Sequence, residues 1–381
     1  MKIRLLALFV FCAVAIAHRA ETLTLNYQNT ERNFIVHLPT GYTAGQQLPL
    51  VINMHGYTSN ASQQELYSKM DQTANANNFI VCYPNGIANA WNSGFTPPYN
   101  SAPDDVGFIS KVIDTLSTLY GVNLNRVYAC GMSNGGFQSH RLACDLENRI
   151  AAIASVTGTI AELAAFNCTL SRKVPVLHIH GTQDMVVSYN GSTGIKSVDS
   201  TISFWLDKNG CSTVSDVVNY PNTNTTDGST VQRTRYTDCT SNTEVVLYKI
   251  TGGGHTWPNA LIDVPTSGPT NRDFDASQEI WDFFNRYTLS GPTGVPQIES
   301  PEIALNVLPN PTSGTIQVTV SGTNAYQYLT LTLVDITGRV VLTESNVAAT
   351  TTLNISAMAN GIYFLQLQGE GVALTQKIVK Q

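Results

Sequence analysis

The sequence predicts an α/β fold in which a mostly parallel central sheet is flanked by helices, followed by a small all-β sandwich domain. Three observations carry this prediction. Short apolar runs alternate with helix-spaced patterns through most of the 381 residues. Beyond about residue 303 the pattern changes to apolar/polar alternation with turn residues between. Between the two, Gly131-Met132-Ser133-Asn134-Gly135 stands where an apolar strand pattern meets a helical one.

The chain opens on Met1-Lys2-Ile3-Arg4, then an apolar run from 5 to 17 that closes on Ala15-Ile16-Ala17. Basic start, apolar core and small residues at the end are the pattern of a secretory signal peptide, expected over 1–17. The run is short for a bilayer, and no later stretch is long and apolar enough for a transmembrane helix. Net charge is -6, only 13% of residues are charged, and no Lys/Arg cluster follows the first positions, which excludes a nucleic-acid partner. Removing Cys12 with the signal leaves Cys82, Cys130, Cys144, Cys168, Cys211 and Cys239, an even set that an exported chain can oxidise. Cys211 and Cys239 fall in a polar, loop-like excursion that a crosslink would order, so they are the expected pair. Cys130 lies in an apolar strand pattern, where a buried thiol is an open alternative. No Cys-x-x-Cys or His-rich spacing suggests a metal, and no cofactor is expected.

Residues 22–27 and 33–38 alternate as an entry hairpin. Buried strands are expected at 48–54, 79–83, 126–131, 151–156, 174–179 and 245–250. Helices are expected at 63–77, 134–145, 198–208 and 274–287, and another follows from the spacing of Ile109, Val112, Ile113, Leu116 and Tyr120. Asp104-Asp105 would cap that helix. The catalytic-type domain spans 18–289, a Gly/Pro-rich linker 290–302, and the β module 303–381.

In a strand–turn–helix setting the glycines let the chain reverse tightly enough to raise Ser133 above the sheet. A serine hydroxyl is a weak nucleophile, so it needs a base, and the base needs an orienting acid. Asp184 closes His180-Gly181-Thr182-Gln183-Asp184 after one strand, and His255 closes Gly252-Gly253-Gly254-His255 after the next. Strand ends are where open parallel sheets meet ligands. Asp207 and Asp238 are rival acids, but neither follows a predicted strand. Of the other histidines, His140 sits in a helix, His178 in a buried strand, and His180 beside the acid loop. His55-Gly56-Tyr57 follows the first long strand, so the Tyr57 and Asn134 backbone N–H groups are the expected oxyanion donors. Trp91 and Trp257 either line an acyl pocket or sugar platform or pack in the interior.

His55-Gly56-Tyr57, Asp104-Asp105-Val106-Gly107-Phe108, Gly131-Met132-Ser133-Asn134-Gly135-Gly136, His180-Gly181-Thr182-Gln183-Asp184 and Gly253-Gly254-His255-Thr256-Trp257-Pro258 occur in this order. Together they resemble the polyhydroxybutyrate depolymerase and feruloyl esterase group of α/β-hydrolases, which includes carbohydrate esterase family 1. The resemblance implies the α/β-hydrolase fold, the same triad and a carboxylic-ester substrate, with polysaccharide-linked ferulate on xylan first. Hydroxyalkanoate polyester and acetylated xylan are the alternatives, and a catalytically silent surface binding protein is the alternative of another class. The tail, through Leu308-Pro309-Asn310-Pro311, Val334-Asp335-Ile336-Thr337-Gly338-Arg339 and Asn360-Gly361-Ile362-Tyr363, resembles the C-terminal sorting domains of the Bacteroidetes type IX secretion system. That implies the type IX machinery as a partner, with release from the cell or attachment to its surface.

Overall fold

The computed structural model describes residues 20–95, 97–289, 291–292, 304–321, 329–335, 339–345, 348, 350–369 and 372–381. The signal peptide expected over 1–17, the linker expected over 290–302 apart from residues 291–292, and the Thr337-Gly338 turn lie outside the described residues. The chain divides into two compact units, Met1–Gly294 and Val295–Gln381.

In the first unit, β1 (Glu21–Tyr27) and β2 (Thr30–His37) form the entry hairpin. Its two-residue turn, Gln28-Asn29, has φ of 49° and 61° at the two positions, the left-handed pair that matches strand twist. There follow β3 (Leu48–Met54), α1 (Ala61–Ser68), α2 (Met70–Asn77), β4 (Ile80–Pro84) and α3 (Asp105–Tyr120). Next come β5 (Val122–Met132), α4 (Asn134–Asp145), β6 (Ala152–Val156), α5 (Glu162–Asn167), β7 (Val176–Gly181) and α6 (Val198–Asn209). The unit closes with β8 (Asp216–Asn219), β9 (Thr230–Tyr236), β10 (Val245–Thr251), α7 (Ala276–Phe284), β11 (Tyr287–Thr288) and β12 (Gly291–Pro292).

Ten strands make one sheet in the order β1-β2-β4-β3-β5-β6-β7-β10-β9-β8. The six from β4 to β10 run parallel, and an antiparallel pair closes each side. Both faces are covered, which is why the central strands read as continuous apolar runs. Leu50, Ile52, Val127 and Ala129 pack with α3, α4 and α6 on one face. Val51, Tyr128, Cys130 and Ile179 pack with α2 and α7 on the other. On α3 the buried stripe is Phe108, Ile109, Val112, Ile113 and Leu116, each contributing about 1.5–3 kcal/mol relative to exposure. Asp104 caps this helix by accepting from Gly107 N–H at 2.8 Å. Asp105 instead turns inward, to Arg32 at 2.8 Å and to Asn92 N–H at 2.7 Å.

Two sequence expectations change. The helix expected over 63–77 is two helices, because Lys69 takes φ 55° and the Ser68 carbonyl accepts from Ser277 Oγ at 2.7 Å instead of from the next turn. The excursion read as loop-like contains the β8–β9 hairpin. Its strand pattern is masked by a buried ion pair, Arg235 with Glu244 at 2.9 Å. Cys211 and Cys239 are joined as expected, and a second disulfide, Cys144–Cys168, ties the end of α4 to the residue after α5. Cys82 and Cys130 are buried thiols.

The second unit holds β13 (Ala304–Leu308), β14 (Thr315–Ser321), β15 (Thr330–Asp335), β16 (Val340–Ser345), β17 (Thr350–Asn354), β18 (Gly361–Gly369) and β19 (Val372–Lys380). They form two antiparallel sheets, β13-β14-β17 and β16-β15-β18-β19. Ile316, Val318, Val320, Leu331, Leu333, Leu365 and Leu367 alternate into a shared core. Among the described residues no helix is long and apolar enough to cross a membrane.

Candidate active site

The parallel strands all deliver their following loops to one edge of the sheet, and every candidate catalytic group lies on such a loop. Ser133 directly follows β5 with φ 54° and ψ −118°, a conformation that costs a non-glycine residue about 1–3 kcal/mol. The surroundings hold it there. Ser133 N–H donates to Val156 O at 2.8 Å, and Phe137 N–H donates to Ser133 O at 2.9 Å. Gly158 packs so closely that a Cβ on it would meet Ser133 O, with Phe137 N at 2.7 Å and Gly136 C at 2.9 Å.

Asp184 and His255 come together from the ends of β7 and β10, with Nδ1 to Oδ2 at 2.7 Å. Since the carboxylate can only accept, His255 Nδ1 carries the proton, which leaves Nε2 as the unprotonated ring nitrogen. Asp184 Oδ1 accepts from Val186 N–H and Val187 N–H, both at 2.8 Å. Burial pushes the Asp184 carboxyl up, but hydrogen bonds from His180 and His255 outweigh it and hold the group well below the usual carboxylate range. The His255 loop is fixed by His255 N–H to Ser267 O at 2.6 Å and by Gln183 N–H to Gly253 O at 2.9 Å. Ser133 Oγ and His255 Nε2 share no hydrogen bond among the described residues.

The loop after β3 lies against Ser133: a Cβ on Gly56 would be 3.4 Å from Ser133 Cβ. His55 is buried and held uncharged by burial, which lowers its pKa. Its Nε2 accepts from Gly86 N–H at 3.0 Å, so Nδ1–H donates to Gly56 O at 2.7 Å and fixes this turn. Thr58 and Ser59 N–H groups donate to Asn89 O and Gly56 O, so neither is available to a ligand. Asn134 opens α4, and its N–H is one of the first-turn donors that have no intrahelical acceptor.

The Asn134 side chain does work that sequence reasoning did not foresee. Its Oδ1 accepts from Trp91 N–H at 2.6 Å, and its Nδ2 donates to Ser93 Oγ at 2.7 Å, which staples the loop after β4 to the serine turn. The two tryptophans correct the sequence expectation of substrate contact. Trp257 is fully buried against the α7 side of the core, with Nε1 donating to Ser277 Oγ. Trp91 is 4% exposed and donates Nε1–H to His55 O at 2.9 Å, bracing the turn from inside. A cleft of about 680 Å³ is lined by residues that include Phe95, Pro97, Glu162, Leu163, Phe166 and Phe204. It includes none of the three triad candidates, but Phe95 packs edge-on to Phe137, 4.7 Å away and one helical turn beyond Ser133. No group of three or more His, Cys, Asp or Glu side chains able to hold a metal occurs among the described residues.

A strained serine between strand and helix, on a mostly parallel sheet that also presents a paired acid and histidine, defines an α/β-hydrolase fold. Residues 26–184 match the family model described as "Putative esterase", and residues 306–381 match that of the secretion system C-terminal sorting domain. The chain is thus similar to an esterase domain over 26–184 and to a secretion sorting domain over 306–381. Feruloyl esterase B of Piromyces equi is 33% identical over 239 residues, which covers 59% of this chain and 42% of that protein. The bifunctional acetylxylan esterase/xylanase of Neocallimastix patriciarum is 26% identical over 268 residues, covering 70% of this chain and 35% of that one. The chain thus spans less than half the length of either relative. The solved acetyl xylan esterase from Aspergillus awamori shares the fold, with a TM-score of 0.51 at 14% identity over 69% of this chain and 98% of that one.

Proposed function

We propose that the first unit is a serine esterase that cleaves ester substituents of xylan, releasing ferulate, and that it acts outside the cell or on its surface. The observation that carries the reading is the Asp184–His255 pair, set at the same sheet edge as the strained Ser133 turn. His255 Nε2 takes the Ser133 proton as Oγ attacks the ester carbonyl. The oxyanion is met by Asn134 N–H and Tyr57 N–H at the positive end of α4. The tetrahedral intermediate expels the sugar alkoxide, which leaves with the proton from His255. Water, deprotonated by the same nitrogen, then frees the acid and restores Ser133. Asp184 keeps Nδ1 protonated throughout and stabilises the imidazolium.

A cleft whose Phe95 packs on Phe137, one helical turn beyond the nucleophile, suits an aromatic acyl group, and the relation to a feruloyl esterase supports that choice. Acetylated xylan is the second reading, supported by the relative named for that activity. The sorting domain supports export by the type IX machinery, with the polysaccharide as the partner met outside.

The test offers the full chain methyl ferulate, feruloylated arabinoxylan, acetylated xylan and a hydroxybutyrate oligomer, beside the Ser133→Ala variant. Ferulate release that exceeds the other products and falls by roughly 10³-fold or more in the variant is expected. Undiminished turnover by Ser133→Ala overturns the mechanism. Serine-dependent preference for acetate or hydroxybutyrate overturns the choice of acyl group.

A further inference from the structure

The mechanism leaves His180 without a task, yet this side chain is wholly buried at the triad acid. Its Nε2 lies 2.8 Å from Val187 O and 3.3 Å from Asp184 Oδ2. Both neighbours accept, so Nε2 carries the proton. Nδ1, 3.2 Å from His178 Nε2, then accepts from that imidazole. The two rings stack with centroids 5.3 Å apart, and His140 lies 5.7 Å beyond His178. His140 is fastened at both nitrogens, by Trp205 Nε1–H at 3.0 Å and to Gly158 O at 3.2 Å. Burial lowers the pKa of His178, and that of His140 to about 3, so this end of the row is uncharged.

The contacts at Asp184 close a ring. Val187 N–H holds Oδ1, Val187 O is held by His180 Nε2–H, and the same nitrogen lies 3.3 Å from Oδ2. A histidine that only filled space would not place Nε2 within 3.3 Å of the oxygen that orients the catalytic base. We propose that His180 is a positioning residue of the triad: through Nε2–H it fixes the Asp184 carboxylate, and through it the direction of His255. This rests on the esterase reading above.

The test measures the rate at which a fluorophosphonate labels Ser133, together with kcat and KM on methyl ferulate, in three variants. His180→Phe keeps the ring and loses both polar atoms. His180→Gln returns an N–H donor near the Nε2 position, and His180→Asn carries a donor too short to bridge. His180→Phe and His180→Asn are expected to lower labelling and kcat roughly 10- to 100-fold, the range for losing a hydrogen bond that orients a reacting group. KM should stay within about twofold, because His180 has no surface to offer substrate. His180→Gln should recover most of the rate, and should His180→Phe fail to fold, the Asn–Gln contrast decides. Labelled wild type with His180→Asn and His180→Gln equally fast, or equally slow with reduced thermal stability, overturns the positioning role alone. Wild type that takes up no label overturns the esterase reading and this inference with it.

Discussion

Replacing Gly158 with alanine tests how tightly the serine turn is held. The added Cβ would sit 2.7 Å from Phe137 N, where about 3.4 Å is an ordinary contact. One backbone or the other must therefore move by about 0.7 Å, and further where the Cβ meets Ser133 O. The atoms in the way are main chain of the turn and of α4, so no side-chain rotation relieves the clash. A displacement approaching 1 Å at a reacting atom costs roughly 10²-fold in rate, about 2.7 kcal/mol of activation free energy. Overpacking adds a stability loss of about 1–3 kcal/mol, or roughly 2–12 °C in Tm for a unit of this size. The assay is kcat on a soluble ester with fluorophosphonate labelling of Ser133, at a temperature where circular dichroism shows the variant folded. Gly41→Ala is the control: φ is 85° and nothing lies within 4 Å of its Cβ, so it carries backbone strain without contact at the turn. Gly41→Ala should lose some stability and keep kcat. Folded Gly158→Ala with wild-type kcat would refute the claim that close backbone contact places the nucleophile.

Two further outcomes are expected. Cys144 and Cys168 are 24 residues apart in sequence, so replacing both with alanine should cost about 3–4 kcal/mol. Calorimetry should then show Tm lower by roughly 6–16 °C, and an unchanged Tm would contradict the crosslink's role. Burial first, and then the charge of Asp71, raises the Glu65 carboxyl from its ordinary 4.5 to about 7. The folded state therefore favours the protonated form, so this group's contribution is full below about pH 4.5 and is lost as pH rises through about 7. Thermal scans of Glu65→Gln should gain on the wild type between those limits, and a constant difference from pH 4.5 to 8 would count against the shift.

The parallel strands were legible because burial on both faces leaves each one a continuous apolar run, and the chemistry was legible as the residues just past their ends. What escaped were features set by side-chain partners that the local apolar pattern does not encode. Lys69 breaks a helix whose local pattern continues, and the cause is Ser277, more than two hundred residues away. Arg235 looks like a surface residue until Glu244 neutralises it inside the sheet. Trp91 and Trp257 carry polar tips, and local sequence does not say whether the tip meets solvent or, as here, a buried acceptor. His180 was readable as a neighbour that could support the acid loop, but the sequence did not show that its Nε2 comes within 3.3 Å of Asp184.

The three triad candidates leave the sheet from β5, β7 and β10, with β6 standing between the first two. At about 4.8 Å per strand, the serine strand is roughly 14 Å from the histidine strand. His255 must therefore be carried back across the sheet edge by its own loop, and Gly252-Gly253-Gly254 lets that loop pass hard against Gly181. Each group is thus fastened to a separate rigid root, while the long segments beyond them, after Asp184 and after His255, run to the next element without carrying another candidate. Such an arrangement gives evolution two independent dials. The segments at the mouth can lengthen, shorten or change character and so take up a different ester, while the roots keep the reacting atoms where they are.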